Sequence, residues 1–124
     1  MAGSKKKKAD LRIEVLATGN ELLDGSILDR HTQSIATKLK PTGLKISRMG
    51  IVSDEIEELR LGLLESFSRS DVVIVSGGLG PTTDDRTLEV AAKCFGSEMI
   101  EDRGAKENVK NLLKRFWQWQ KSRF

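Results

Sequence analysis

Asp71-Val-Val-Ile-Val-Ser-Gly-Gly-Leu-Gly-Pro-Thr-Thr-Asp-Asp85 passes from an unbroken apolar run of strand length into a loop with three glycines in four residues. The run at 71–76 suits a strand covered on both faces by helices better than one facing water. The glycines at 77–80 can reach positive φ, bring backbone N–H groups close to a ligand and pass an anion to the start of the next helix. That helix carries Leu88, Ala91, Ala92 and Phe95 and ends at Gly96. Thr82 or Thr83 is its expected N-cap.

Two similar units precede this one. Residues 12–18 form a β-rich run, apolar near its end and bounded by Gly19, followed by a polar loop over 19–28. Asp29 is placed to cap a helix through about Lys40, with Thr32, Ile35, Ala36 and Leu39 inward, and Pro41 and Gly43 stop it. Residues 44–52 read as a strand, and Ser53 or Asp54 caps a helix whose Ile56, Leu59, Leu63, Leu64 and Phe67 form one stripe. A last helix over 103–121 repeats Val109, Leu112, Leu113 and Phe116. The order β-α-β-α-β-α-α predicts a mainly parallel sheet with right-handed crossovers in a three-layer α/β/α domain. The favoured strand order is 2-1-3, which opens a crevice at the switch point between the first and third strands.

The chain has 124 residues, 38% of them hydrophobic, with 11 Gly besides. That is enough for one core without a disulfide framework or a structural metal. Cys94, the only cysteine, is read as core. No run approaches the roughly 20 apolar residues of a membrane span, and the expected setting is cytoplasmic, with no membrane partner. The basic charge sits at the ends: Lys5, Lys6, Lys7 and Lys8, then seven Lys or Arg against Glu107 alone over 103–124. Residues 1–11 are expected to be a flexible basic tail and 12–124 a single domain. No aromatic interleaves the lysines, so nucleic acid is not the expected partner.

The loops carry the chemistry. Ser76, Gly77, Gly78, Leu79, Gly80, Pro81 and Thr82 can cradle a phosphate, and the plainer alternative is a tight turn that only caps the helix. Walker A fails because no lysine follows the glycines, and the dinucleotide fingerprint fails because Thr83 stands where its third glycine belongs. Asp84 and Asp85 beside a phosphate would repel it unless a divalent cation such as Mg2+ lay between them. Asp84 is read equally well as a solvent-facing acid. Across the crevice, Thr18, Gly19, Asn20 and Glu21 supply an amide, an acid and a hydroxyl. Asp54 stands on the same rim. His31 is read as structural or exposed, and Trp117 and Trp119 as packing against the domain or a neighbouring subunit.

Thr18-Gly-Asn-Glu-Leu-Leu-x-Gly-x-Ile27, Val52-Ser-Asp54 and Ser76-Gly-Gly-Leu-Gly-Pro-Thr-x-Asp-Asp85 together resemble the MoaB/Mog molybdopterin-binding family, in its branch of competence/damage-inducible CinA proteins. The resemblance implies a domain that binds a phosphorylated pterin or nucleotide at the glycine loop. Asp54 and Asp85 would match acids that take part in adenylyl transfer to molybdopterin with Mg2+. In the CinA branch, similar domains hydrolyse the pyrophosphate of ADP-ribose with a divalent metal and potassium. Leu79 and the Thr-Gly-Asn-Glu-Leu-Leu opening look closer to CinA. On that reading a metal at Asp85 offsets diphosphate charge, the amides of residues 78–80 stabilise an oxyanion, and Asp54 orients the attacking water. MoaB/Mog domains normally continue beyond the point where this chain stops, so part of the family domain is expected to be missing. The unfilled sheet edge suggests a homo-oligomer. A binding module without catalysis and a fragment acting only in association are the alternatives.

Overall fold

The central strand of the computed structural model is β1 (Ile13–Thr18), flanked by β2 (Ile46–Val52) and β3 (Val72–Ser76) in a parallel sheet of order β2-β1-β3. The structure describes residues 5–123, so residues 1–4 of the expected tail and Phe124 lie outside it. Every residue of β1 is buried, as its near-continuous apolar run requires for a strand enclosed on both faces. Among the described residues the α-helices are α1 (Asn20–Leu23), α2 (Arg30–Leu39), α3 (Ile56–Arg69), α4 (Thr87–Cys94) and α5 (Arg103–Arg123). The expected 2-1-3 sheet with helices on its faces is the observed one.

Leu16, Leu59, Leu63 and Val90 form the core, backed by Val52, Val73, Val75, Ala91 and Cys94. These residues place α3 and α4 on one sheet face, and Phe67 meets Phe95 edge-on with centroids 4.6 Å apart. Met49 and Ile51 point to the other face by the two-residue period of a strand, and line a hollow with Thr32, Gln33 and Ala36 of α2. A charge is buried at the base of the sheet. The Glu14 carboxylate accepts from Ser66 Oγ at 2.9 Å, Arg69 Nε at 3.0 Å and Nη2 at 2.6 Å, and Ser70 Oγ at 3.0 Å. Hydrogen bonding from Arg69 outweighs burial and holds the Glu14 pKa below its usual value.

Several local expectations are corrected. β3 is half-buried rather than covered on both faces, and Val72 is 41% exposed, because β3 lies at the sheet edge and β1 takes the enclosed position. The stretch at 19–28 holds a helical turn, α1. α3 begins after Glu55, without a side-chain cap, rather than at Ser53 or Asp54. The helical stripes are buried only in part: Leu59 and Leu63 are core, while Ile56, Leu64, Phe67, Leu88 and Phe95 keep substantial exposure. The cap of α2 is as expected, with Asp29 accepting from the Thr32 N–H at 3.0 Å and from its hydroxyl.

The largest departure is α5. None of its residues is buried, and Val109, Leu112, Leu113, Phe116, Trp117 and Trp119 are 51–62% exposed. Trp117 and Trp119 do not pack on the domain. They meet Phe116 of their own helix, and the Arg123 guanidinium lies 4.3 Å from the Trp119 ring centre. At the other end, Lys6 Nζ donates to Asp71 Oδ1 at 2.5 Å, and the Arg12 N–H donates to Asp71 Oδ2 at 2.8 Å.

Candidate functional site

Parallel pairing brings the C-terminal ends of β1 and β3 together, and each ends in a glycine turn. Gly77 has φ +99° and Gly78 φ +63°, where a side chain is strained. A Cβ on Gly77 would also overlap the Thr18 carbonyl oxygen, and one on Gly78 would collide with the Thr87 hydroxyl. Thr87 secures the loop from the helix side: its Oγ1 donates to the Gly77 carbonyl at 2.9 Å and its N–H to the Gly78 carbonyl at 3.2 Å. The glycines therefore serve close packing between β1, the loop and α4.

Two hollows open here. The first, about 320 Å³, has Thr18, Ser76 and Gly77 at the strand ends, Glu21 and Leu22 of α1 on one side, and residues 27–31 on the other. The second, about 300 Å³, is lined by Gly78, Leu79, Gly80, Asp85, Leu88, Glu89 and Met99. The glycine loop forms the wall between them, with Gly77 facing one and Gly78 the other.

Asp85 closes the loop. Its Oδ2 accepts from the Thr82 N–H at 3.0 Å and Thr82 Oγ1 at 2.7 Å. The Thr82 hydroxyl and backbone, with the Gly80 N–H, hold its pKa below the usual carboxylate range. The expected N-cap at Thr82 or Thr83 is corrected: α4 begins at Thr87 after Arg86, and neither threonine caps it. Asp84 and Asp85 therefore precede the helix instead of occupying its first turn. Asp84 is exposed. The Gly80 N–H, expected to face a ligand, is turned to Asp85.

Asp54 lies on the β2 side of β1. Its carboxylate accepts from Thr18 Oγ1 at 3.4 Å and the Asn20 N–H at 3.4 Å, and its own N–H donates to Asn20 Oδ1 at 3.2 Å. The Gly19 N–H donates to the Val52 carbonyl at 3.1 Å. The structure thus joins Thr18, Gly19, Asn20 and Asp54 in one cluster and Gly80, Thr82 and Asp85 in another. Thr18 and Gly77 bridge them. Asp54 lines neither hollow, and Pro81 is exposed.

His31, read as structural or exposed, is exposed, as is Arg30 beside it. His31 Nδ1 lies 3.5 Å from Ser76 Oγ, a long contact for a hydrogen bond, and both residues line the first hollow. No local signal marks the pair, since 45 residues separate them. Only the 2-1-3 topology, which sets the start of α2 above the end of β3, could have found it.

A metal site can be tested on these donors. Among the described residues no group of three or more His, Cys, Asp or Glu is placed to hold an ion. The donors at the loop are all oxygen, from Asp84, Asp85 and two threonines. By type these are the donors a hard divalent cation such as Mg2+ takes, but Asp85 Oδ2 is already engaged by Thr82.

The family model described as a probable molybdopterin binding domain matches residues 14–120, which span the sheet, both glycine turns and most of α5. The chain belongs to this family. Relatives within it carry CinA-type names. A CinA-like protein of Myxococcus xanthus is 45% identical over 92 residues, covering 74% of this chain and 22% of that protein. A relative from Clostridium tetani, named for competence-damage induction, is 37% identical over 105 residues, 85% of this chain and 26% of its own length. The chain therefore spans about a quarter of the length of these relatives. Among solved structures, the CinA protein of Thermoplasma acidophilum, described as of unknown function, aligns with a TM-score of 0.77 and 32% identity, covering 86% of this chain and 63% of that one. The molybdopterin biosynthesis enzyme MoaB of Thermus thermophilus shares the fold, with a TM-score of 0.63 at 22% identity over 67% of this chain and 54% of that one. No helix among the described residues is long and apolar enough to cross a membrane.

Proposed function

We propose that this domain binds a phosphorylated nucleotide or pterin with its phosphate at the glycine loop, and that it hydrolyses a pyrophosphate-linked nucleotide of the ADP-ribose type with a divalent cation. One observation carries the reading: two glycine turns meet at the switch point of a parallel sheet, with Gly77 seated on Thr18 and a hollow on each side of the contact. The CinA-type names of the relatives agree with the CinA branch of the resemblance, and it is that branch, not the names, that implies nucleotide pyrophosphate chemistry.

In this proposal Asp85, with Asp84 beside it, would hold Mg2+ or another divalent cation, and K+ could serve as a further counter-ion. When bound, such a cation would supply charge neutralisation on the diphosphate. Asp85 also keeps Gly80 and Thr82 in place, so the loop is shaped before a ligand arrives. The amides of residues 77–79 would stabilise negative charge on the phosphate. Asp54 holds Thr18 and Asn20, and from that rim would orient the attacking water. Leu22, Ile27 and Leu28 would receive the flat apolar part of the ligand. The exposed apolar residues of α5 support a homo-oligomer as part of the same proposal, and sedimentation tests it.

Incubation with ADP-ribose, Mg2+ or Co2+ and K+ should release AMP, and Asp85→Asn should abolish release. The hydrogen bonds that Asp85 makes to its own loop favour a second reading, a binding module without turnover. Calorimetry with ADP-ribose and with a pterin phosphate separates the two: heat without AMP supports the binding module, and neither heat nor AMP removes both.

A further inference from the structure

Thr87 is the first residue of α4 and is only 4% exposed, yet its hydroxyl and its backbone N–H both reach into the glycine loop. Oγ1 donates to the Gly77 carbonyl at 2.9 Å, and the N–H donates to the Gly78 carbonyl at 3.2 Å. No peptide bond among the described residues is cis. In a trans peptide the carbonyl and the following N–H point in opposite directions. Two carbonyls drawn towards α4 therefore turn the next two N–H groups, those of Gly78 and Leu79, away from it. Among the described residues no backbone carbonyl accepts from either N–H. The Asp85 carboxylate, against the same loop, is engaged by Thr82 and Gly80 instead. Gly78 is half-buried, and a peptide N–H in such a place ordinarily has an acceptor. Two neighbouring donors turned to one side are suited to a ligand oxygen.

We infer that Thr87 is a positioning residue for ligand binding: by holding the carbonyls of Gly77 and Gly78, it aims the N–H groups of Gly78 and Leu79 together at one phosphate of the ligand. The inference rests on the proposed phosphate site at the glycine loop and names the residue that shapes it. Thr87 itself lines neither hollow and touches no ligand. A glycine-rich segment loses much conformational freedom when a ligand orders it. Thr87 fixes two of its peptide planes beforehand, so that loss does not weaken binding. An N–H donated to an anionic oxygen makes a charge-assisted bond that depends on alignment, and a rotated peptide plane weakens it. The clamp also accounts for glycine at position 78, where a Cβ would collide with the Thr87 hydroxyl. Serine at position 87 would keep the oxygen, and valine would keep the shape without it.

The test combines amide NMR and calorimetry, with Mg2+ and a methylene-bridged, non-hydrolysable analogue of ADP-ribose. In the parent, the amide protons of Gly78 and Leu79 should move downfield on saturation, as they do when they donate to a phosphate oxygen. Thr87→Val, folded by circular dichroism, should bind roughly tenfold more weakly, the loss expected for one charge-assisted hydrogen bond. Thr87→Ser should recover most of that loss, which a purely space-filling role for the side chain would not produce. Should Thr87→Val fail to fold, the amide shifts of the parent decide the matter without it. A parent that binds while both amides stay in place overturns the role of Thr87 and leaves binding itself standing. A folded Thr87→Val with the parent's affinity, or a Thr87→Ser that binds no better than Thr87→Val, does the same. A parent that is folded and binds no analogue overturns both this inference and the phosphate site.

Discussion

Replacing the buried acid of β1, Glu14→Gln, should lower stability by about 2–4 kcal/mol at pH 7. Glu14 is 1% exposed, and its carboxylate accepts from four donors on Ser66, Arg69 and Ser70. Hydrogen bonds to a charged group contribute about 1.5–3 kcal/mol, and a buried donor left unsatisfied costs about 1–3 kcal/mol. The glutamine amide keeps one acceptor and sets an NH2 against the Arg69 Nε–H. It also loses the charge, while its lower desolvation penalty offsets part of the damage. With about 2.1 cal/mol/K of unfolding entropy per residue, a chain of this size unfolds with about 0.25 kcal/mol/K, so Tm should fall by about 8–16 °C. The pH dependence has a definite sign. Arg69 holds the folded pKa of Glu14 below its ordinary 4.5, so its stabilisation is present above that pH and lost as the pH falls through the folded value. The parent and Glu14→Gln should therefore converge in acid. Melting followed by far-ultraviolet circular dichroism at pH 7 and pH 3 reads both effects. A drop under about 3 °C at pH 7, or a gap as wide at pH 3 as at pH 7, would refute the reasoning.

Gly77→Ala combines a strained φ with overlap on the Thr18 carbonyl and should destabilise by more than about 2 kcal/mol, read as a lower urea midpoint at unchanged slope. Asp29→Ala removes the cap of α2 and should cost about 0.5–2 kcal/mol. Because the Asp29 pKa is lowered, that difference should be full at neutral pH and shrink once the pH drops below 3.8. In the dilute monomer, Leu112→Ala, on the uncovered face of α5, should stay within about 0.5 kcal/mol of the parent in thermal melts. A loss of several kcal/mol there would mean that something covers α5 in solution.

The sheet was legible because its signals are local. The β-rich run at 12–18 marks a strand and Gly77 a turn only a glycine can make, but which strand is enclosed was not legible: 71–76 was read as covered on both faces, and β1 takes that place. Caps were less legible, because a short polar side chain chooses among partners that the fold brings near. Asp29 finds Thr32 three residues ahead, and its cap is readable from spacing. Ser53 or Asp54 was expected to cap α3, yet Asp54 is drawn to Asn20, 34 residues away, and Thr82, one of the two expected caps of α4, is instead held by Asp85. Covering is less legible still. Leu112, Phe116 and Trp117 have the periodicity of a buried stripe, yet periodicity shows that a face is apolar and not what lies against it. For the same reason the contact between His31 and Ser76 was not legible, because strand order sets which residues meet across the hollow.

Both tryptophans of the chain lie in α5, and there is no tyrosine. Intrinsic emission therefore reports an outlying helix and is silent about the sheet it follows. Denaturation traced by fluorescence and by circular dichroism should part company even if the sheet and its helices melt in a single cooperative step. A spectroscopist watching the indoles alone would record the fraying of α5 and mistake it for the collapse of the domain.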